Sequence, residues 1–271
     1  MDATLMTMDV AKGYKCLIVM PDDQAKEKGE LLQKFGATVE FVKPASIVNA
    51  KHYVNQARRR ASEIAGAPLP PKAHLTRGPG GYFADQFENL ANTEIHYRTT
   101  GTGGTIAGVS RYLKEQNPAI QIVLADPPGS SLYNKVRHNV CYAPQQSERT
   151  VKRHRYDTVA EGIGIDRLTA NFLLANIDDA YVVSDEEAVN MSRHLLAEDG
   201  IFVGSSSAMN CVAAVRLAKK LGPGHVIVTI LCDSGQRHLT KFWNNDYLKS
   251  QWDLEATATD LSFLDHSTGQ P

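Results

Sequence analysis

The sequence predicts an α/β protein with a mostly parallel sheet, and three observations carry that reading. Short apolar runs alternate with amphipathic stretches along much of the chain. The runs are too short for buried helices and are bounded by glycine or proline. Turns rich in glycine, serine and threonine sit where an apolar run gives way to a helical pattern, as they do along one edge of a sheet built from β-α-β units.

Taken in order, Met1 to Gly13 ends in Ala11-Lys12-Gly13, a basic last turn with a capping glycine, and reads like the tail of a helix. Tyr14 to Met20 is an apolar run that suits a buried strand. Asp22 to Phe35 has acidic residues early, Leu31, Leu32 and Phe35 late, and Gly36 as a C-terminal stop, so it predicts a helix. Thr38 to Val42 alternates like a second strand, completing a β-α-β unit. Ser46 to Ile64 predicts a helix opened by serine, with Arg58, Arg59 and Arg60 on a solvated face. Ala67 to Pro71 is a proline-rich loop, and Arg77 to Gly81 is a glycine cluster leading into Tyr82 to Asn89.

In the second half, Ile106 to Asn117 predicts an amphipathic helix stopped by Pro118, and Ile120 to Ala125 a strand that ends at Asp126-Pro127-Pro128-Gly129-Ser130. Tyr181 to Val183 predicts a strand. Ser184 caps a helix from Asp185 to Glu198, and the Ser184/Glu187 spacing is that of a capping box. Ser205, Ser206 and Ser207 open a helix from Ala208 to Leu221, His225 to Cys232 predicts a buried strand, and Lys249 to Pro271 reads as a polar, poorly ordered tail.

Composition narrows the function classes. The net charge of −1 gives no support for a nucleic-acid partner. The four cysteines, Cys16, Cys141, Cys211 and Cys232, lack C-x-x-C spacing, which argues against a disulfide framework or zinc site and suits buried free thiols in a reducing compartment. His96, His138, His194 and His238 lack ligand spacing, so no metal site is expected. No run approaches the length of a membrane span, and a soluble cytoplasmic protein is the expectation, with mitochondrial association left open. The serine triplet lacks the G-x-S-x-G elbow of a hydrolase.

The stretch richest in chemistry is Gly101-Thr102-Gly103-Gly104-Thr105, which leads directly into the helix that starts near Ile106. Glycine permits positive φ and close approach of the backbone to an anion, and the free N–H groups of the helix start add to the attraction. The alternative is a glycine-rich turn without a ligand. Ser206 by itself reads as a helix N-cap, a position serine favours.

Gly101 to Lys114, Glu161-Gly162-Ile163-Gly164, Gly204 to Asn210 and Leu231 to Gly235 occur in an order that resembles the cysteine synthase and cystathionine β-synthase family. The wording of Gly204 to Asn210 is most similar to the fungal cysteine synthase-like branch, and the resemblance runs from about Ala11 to Leu248. It implies the two-domain fold-type II architecture of pyridoxal phosphate (PLP) enzymes, similar to a tryptophan synthase β subunit. Residues 1–100 would be what is present of the smaller domain and crossover, 101–248 the larger cofactor domain, and 249–271 the tail.

By the same resemblance Gly101, Thr102, Gly103, Gly104 and Thr105 bind the PLP phosphate and Ser206 contacts the pyridine nitrogen. Gln86 and Asn89 fall in the substrate-contacting region, and Gly162 in a loop that approaches the cofactor. The implied activity is β-replacement on O-acetylserine or serine with sulfide to give L-cysteine, with a small amino-acid substrate and a homodimer in intact relatives.

Two departures from the family pattern accompany it. The lysine that carries PLP in the family lies in a Ser-x-Lys-Asp-Arg type motif upstream of the region matching Ala11 to Gly13, and neither Lys12 nor Lys15 stands in such a motif. No catalytic lysine is therefore expected in this sequence. The family also places a helix and a buried strand between the segment matching Asn89 and the phosphate loop, whereas Thr99-Thr100 here runs straight into Gly101, although Glu94 to Thr99 alternates like a strand. These departures keep open a second reading, an inactive family member that acts as a binding or regulatory partner or a product without function.

Overall fold

The computed structural model describes residues 15–65, 83–89, 103–143, 158–257 and 260–264. The chain divides into two compact units, Met1–Asn92 and Thr93–Pro271. The loop at Ala67 to Pro71, the cluster Arg77 to Gly81, and Gly101 and Thr102 lie outside the described residues.

The first unit is the β-α-β motif that the sequence predicts. Strand β1 (Leu17–Pro21) and strand β2 (Thr38–Val42) pair in parallel, Leu17 opposite Thr38 and Met20 opposite Phe41. Helix α1 (Lys26–Lys34) forms the crossover, and Gly36 stops it with a φ of 92°. Gly29 stands mid-helix because the Phe41 ring lies on it; a Cβ there would be 2.5 Å from the ring. Ile18 and Ala37 are the buried centre, with Leu32, Phe35 and Val39 packed around them.

Helix α2 (Tyr53–Ala65) begins well after the expected serine start at Ser46. The side chains of Asn49 and Asn55 explain the delay. Asn49 Oδ1 accepts from the Lys51 N–H, and Asn55 Nδ2 donates to the carbonyls of Ile47 and Asn49, which holds an irregular turn ahead of the helix. The arginines are not simply a solvated face. Arg58 pairs with Asp85 at 3.0 Å and lies over the Phe83 ring, and Arg60 pairs with Glu40 on β2 at 3.1 Å.

In the second unit, helix α3 (Gly104–Gln116) ends at Asn117 just before Pro118 and is followed by strand β3 (Val123–Asp126). Helix α4 (Leu132–His138) follows the proline-glycine turn, and strand β4 (Asp179–Val182) pairs in parallel with β3. One core gathers Ile106, Ile122, Leu124, Leu132, Tyr133, Ile165, Phe172 and Ala180. A second forms where helix α5 (Asp185–Asp199) meets helix α6 (Ser205–Leu221), with Val189, Met191, Met209 and Val212 at its centre.

The capping box at the start of α5 is present in both directions. Ser184 Oγ accepts from the Glu187 N–H at 3.2 Å, while Glu187 Oε2 accepts from the Ser184 N–H at 2.9 Å. Helix α6 starts at Ser205 rather than Ala208, with Gly204 as its N-cap, so Ser206 is inside the first turn and is not the cap.

Three expectations are corrected here. His225 to Cys232 is neither strand nor buried: Val226 is 92% and Val228 86% exposed. A strand needs a neighbour to satisfy its backbone, and the two sheets seen among the described residues hold two strands each. The tail is not uniformly polar and loose. Helix α7 (Asn245–Trp252) is capped by Asp253, Leu254 packs against the α5/α6 core, and a one-turn helix at Leu261–Leu264 returns Leu264 to that core at 7% exposure. The cysteines are free thiols, but Cys16, Cys211 and Cys232 are only half-buried and Cys141 is exposed.

Candidate active site

The site is built around the start of α3. Gly103 takes a φ of 88°, a left-handed conformation that glycine adopts without strain, and no side chain caps the helix. The N–H groups of the first turn are thus left to a ligand, at the positive end of a helix of 13 residues. Gly104, Thr105, Ile106 and Ala107 are buried, so this helix end lies inside the unit rather than on its surface.

Gly103 lines a cavity of about 20 Å³ together with Leu124, Asp126, Ile163, Gly164 and Phe172. Glu161 to Gly164 bring that cavity to the start of α6. The Glu161 N–H lies 3.4 Å from Ser205 Oγ, and the Glu161 carboxylate lies 3.3 Å from Lys241 Nζ. Gly162 and Gly164 have φ of 84° and 80°. Gly164 needs its lack of a side chain, because a Cβ would stand 2.6 Å from Pro127; Gly162 meets nothing within 4 Å. Ser130 Oγ then ties the loop down by bonding both the N–H and the carbonyl of Ile165 at 3.1 Å.

Ser206 is half-buried, and its hydroxyl hydrogen-bonds the Cys232 thiol. Burial pushes that thiol above its ordinary range, which the hydroxyl partly opposes, and Cys211 is raised by burial too. Both thiols are protonated at neutral pH and are poor nucleophiles.

Gln86 and Asn89 belong to the first unit, in a turn closed by Asn89 N–H donating to the Asp85 carbonyl at 2.8 Å. Asn89 Nδ2 donates to the Ala84 carbonyl. Among the sequence-predicted residues, the structure therefore gathers Gly103, the Gly162 loop and the serine-rich start of α6 in one unit.

Asp126 is the site residue that sequence reasoning missed. It ends β3, is 1% exposed, and accepts from the Tyr133 N–H at 2.7 Å. Burial pushes its carboxyl up to about 7 against the hydrogen bonds from Ser130, Tyr133 and Leu132 that favour the anion. The available signal was its place, an acid at the carboxyl end of a parallel strand, where α/β proteins bind ligands. Phe172 was also missed, because a lone aromatic gives no sign of which glycine it will cover.

A parallel α/β chain with an uncapped glycine cradle at a buried helix start is built like a protein that holds a phosphorylated cofactor. The comparisons with known proteins say which. Residues 5–233 match the family described as pyridoxal-phosphate dependent enzyme, and the chain belongs to that family. It is 49% identical over 275 residues to cysteine synthase 2 of Schizosaccharomyces pombe, covering 93% of this chain and 68% of that protein. It is 49% identical over 282 residues to cysteine synthase 2 of Neurospora crassa, covering 95% of this chain and 60% of that one. Among solved structures it resembles an O-acetylserine dependent cystathionine β-synthase from Helicobacter pylori at 27% identity, with a TM-score of 0.69 over 88% of this chain and 72% of the other.

The residues can be tested against PLP directly. The open N–H groups at Gly103 and Gly104 are the donor set that a phosphate takes. A Cβ at Gly103 would stand 2.6 Å from the Phe172 Cβ and 2.9 Å from its N, so this backbone is covered closely by Phe172. A cavity of about 20 Å³ holds a water molecule but not a phosphate group. The donor set fits the chemistry of a phosphate.

Proposed function

We propose that this chain is a cysteine synthase-like protein that uses PLP for β-replacement on O-acetylserine or serine with sulfide to give L-cysteine. The observation that carries the reading is Gly103 in left-handed conformation at the uncapped, buried start of α3. The fungal relatives named cysteine synthase support the substrate class. PLP when bound supplies the electron sink for loss and replacement of the β-substituent.

In this reading the N–H groups of Gly101 to Thr105 hold the phosphate, and Ser206 turns its hydroxyl from Cys232 to the ring nitrogen. The loop at Gly162 closes on the cofactor, while Gln86 and Asn89 hold the amino-acid substrate. Keeping 101–248 as the cofactor domain places the phosphate loop, Gly162 and Ser206 together. A homodimer in the cytoplasm, without nucleic acid, completes the proposal. Among the described residues no helix is long and apolar enough to cross a membrane.

A second reading is a family member that does not hold the cofactor and serves as a binding or regulatory partner, or a product without function. Titrating the purified chain with PLP separates the two. Visible absorbance, an adduct fixed by borohydride, and cysteine formed from O-acetylserine and sulfide support the enzyme. A colourless protein with no adduct and no cysteine formed leaves only the second reading.

A further inference from the structure

The arginine run on α2 is followed at once by a hydroxyl, in the order Arg59-Arg60-Ala61-Ser62. Two guanidinium groups placed two and three residues before a serine form a charge pattern that serine kinases with acidic peptide grooves read. Such a groove takes an extended peptide, so the end of the helix has to open. The structure makes that opening easy. Ser62 lies in the last turn of α2, which ends at Ala65, and helix ends fray first. From Arg59 to Ile64 the one buried side chain is Ala61, and the ion pairs of Arg59 and Arg60 with Glu40 and Glu63 are partly exposed and therefore weak.

Ser62 is also coupled to a buried carboxylate. Its Oγ donates to the Arg58 carbonyl at 3.2 Å, and residues 58 and 59 are its neighbours one turn back. Arg58 Nη2 in turn holds Asp85 Oδ2 at 3.0 Å. Asp85 is 6% exposed, its Oδ1 is buried with no hydrogen-bond partner among the described residues, and its backbone is left-handed with a φ of 41°. Arg58 is thus the cation that keeps this strained, buried acid in place. The Asp85 carbonyl closes the turn beyond it, accepting from the N–H groups of Glu88 at 3.1 Å and Asn89 at 2.8 Å.

We propose that Ser62 is a phosphorylation site for a basophilic serine kinase, and that the phosphate releases the Asp85–Asn89 turn by drawing Arg58 away from Asp85. Ser62 Oγ attacks the γ-phosphorus of ATP, the bond from that phosphorus to the bridging oxygen of ADP breaks, and the hydroxyl proton goes to the kinase's catalytic base. Two effects then act in the same direction. A phosphate one turn from Arg58 competes for its guanidinium. It also sits beside Glu63, at the negative end of a helix with no basic residue in its last turn, which loosens the segment that carries Arg58. Without Arg58, Asp85 is a buried carboxylate with no counter-charge, and the turn it closes opens. That an amino-acid substrate feels this change rests on the reading of Gln86 and Asn89 above, whereas the modification and the release of the turn do not.

Incubating the full chain with ATP, magnesium and the catalytic subunit of cyclic-AMP-dependent protein kinase tests the proposal, with the site read by mass spectrometry. Phosphate should appear at Ser62, Ser62→Ala should remove it, and Arg59→Ala should slow it at least about tenfold. The Arg59 side chain is 59% exposed, so its replacement should leave the urea midpoint near that of the parent. In the phosphorylated chain, hydrogen exchange at Glu88 and Asn89 should quicken at least about threefold. Arg58→Ala should quicken it without the kinase, and phosphate should then add nothing more. No phosphate at Ser62 overturns the proposal, and so does phosphorylation indifferent to Arg59. Phosphate at Ser62 that leaves exchange at Glu88 and Asn89 unchanged overturns the release of the turn. None of these readouts uses PLP or cysteine formation, so failure of the cofactor reading would leave them standing.

Discussion

His238 Nε2 lies 2.9 Å from Asp233 Oδ2, and the pair rests directly on the α-carbon of Gly204. His238 is 2% exposed, and Gly204 is the N-cap of α6 while its N–H donates to the Asp233 carbonyl at 3.0 Å. The start of α6 and the turn after Cys232 are therefore fixed by one contact. Glycine stands at 204 because a side chain has no room, with an ordinary negative φ of −80°.

A Cβ at Gly204 would overlap Asp233 Oδ1 and stand 2.6 Å from His238 Nε2. Gly204→Ala should lower stability by about 1–3 kcal/mol, the usual effect of forcing a methyl into a packed site. Urea unfolding followed by tryptophan fluorescence measures it. Gly204→Ala in an Asp233→Ala background should lose much less than in the parent, because the nearest obstructing atom, Asp233 Oδ1, is gone.

Asp126 sets a pH dependence. Its folded-state value of about 7 lies above the ordinary 3.8, so the folded state holds a proton that the unfolded state releases. The stabilising contribution is complete below about pH 4 and is lost as pH rises toward 7, with little further change above. A shift of this size corresponds to a few kcal/mol, on the order of 4. Asp126→Asn keeps an acceptor for the Tyr133 N–H and removes the charge. The variant should show a flatter urea midpoint across pH 5 to 8 and exceed the parent at the alkaline end, and parallel slopes for the two proteins would refute the assignment.

Arg216 and Glu187 form a partly buried pair, and Arg216 also donates to the Val182 carbonyl at 2.6 Å. The same carboxylate serves the Ser184 capping box, so one glutamate joins the end of β4, the start of α5 and the side of α6. Arg216→Ala leaves that carboxylate at 6% exposure without its cation and should cost about 2–4 kcal/mol. Glu187→Gln should cost less, and a double-mutant cycle between the two by urea unfolding should give a coupling of about 0.5–3 kcal/mol.

The tail offers a fourth test. Leu264 is 7% exposed in the α5/α6 core, with Leu254, Leu261 and Phe263 packed beside it. Leu264→Ala should destabilise by about 2–5 kcal/mol by opening a cavity. A loose polar tail would instead leave the thermal midpoint unchanged.

Local chemistry made much of the fold legible. Gly36, Pro118 and the Ser184/Glu187 box mark helix ends through interactions within a few residues, and β1, β2 and α3 stand near their expected places. Gly103 was legible as a candidate cradle for the same reason, since glycine clusters and a following helical period are both local signals. Asp126 and Phe172 were not, because burial of an acid and the seat of an aromatic ring are set by elements far apart in the chain.

What the sequence determined alone is the order of elements, their caps and the family to which the chain belongs. Only the tertiary structure decided that His225 to Cys232 would lie bare, that Leu264 would return to the core, and that Phe172 would cover the glycine at 103. A helix satisfies its own backbone from within, so its sequence can announce it. A strand is completed by a neighbour, and an apolar run as strand-like as Val226 to Cys232 stays unfinished where no strand among the described residues lies beside it.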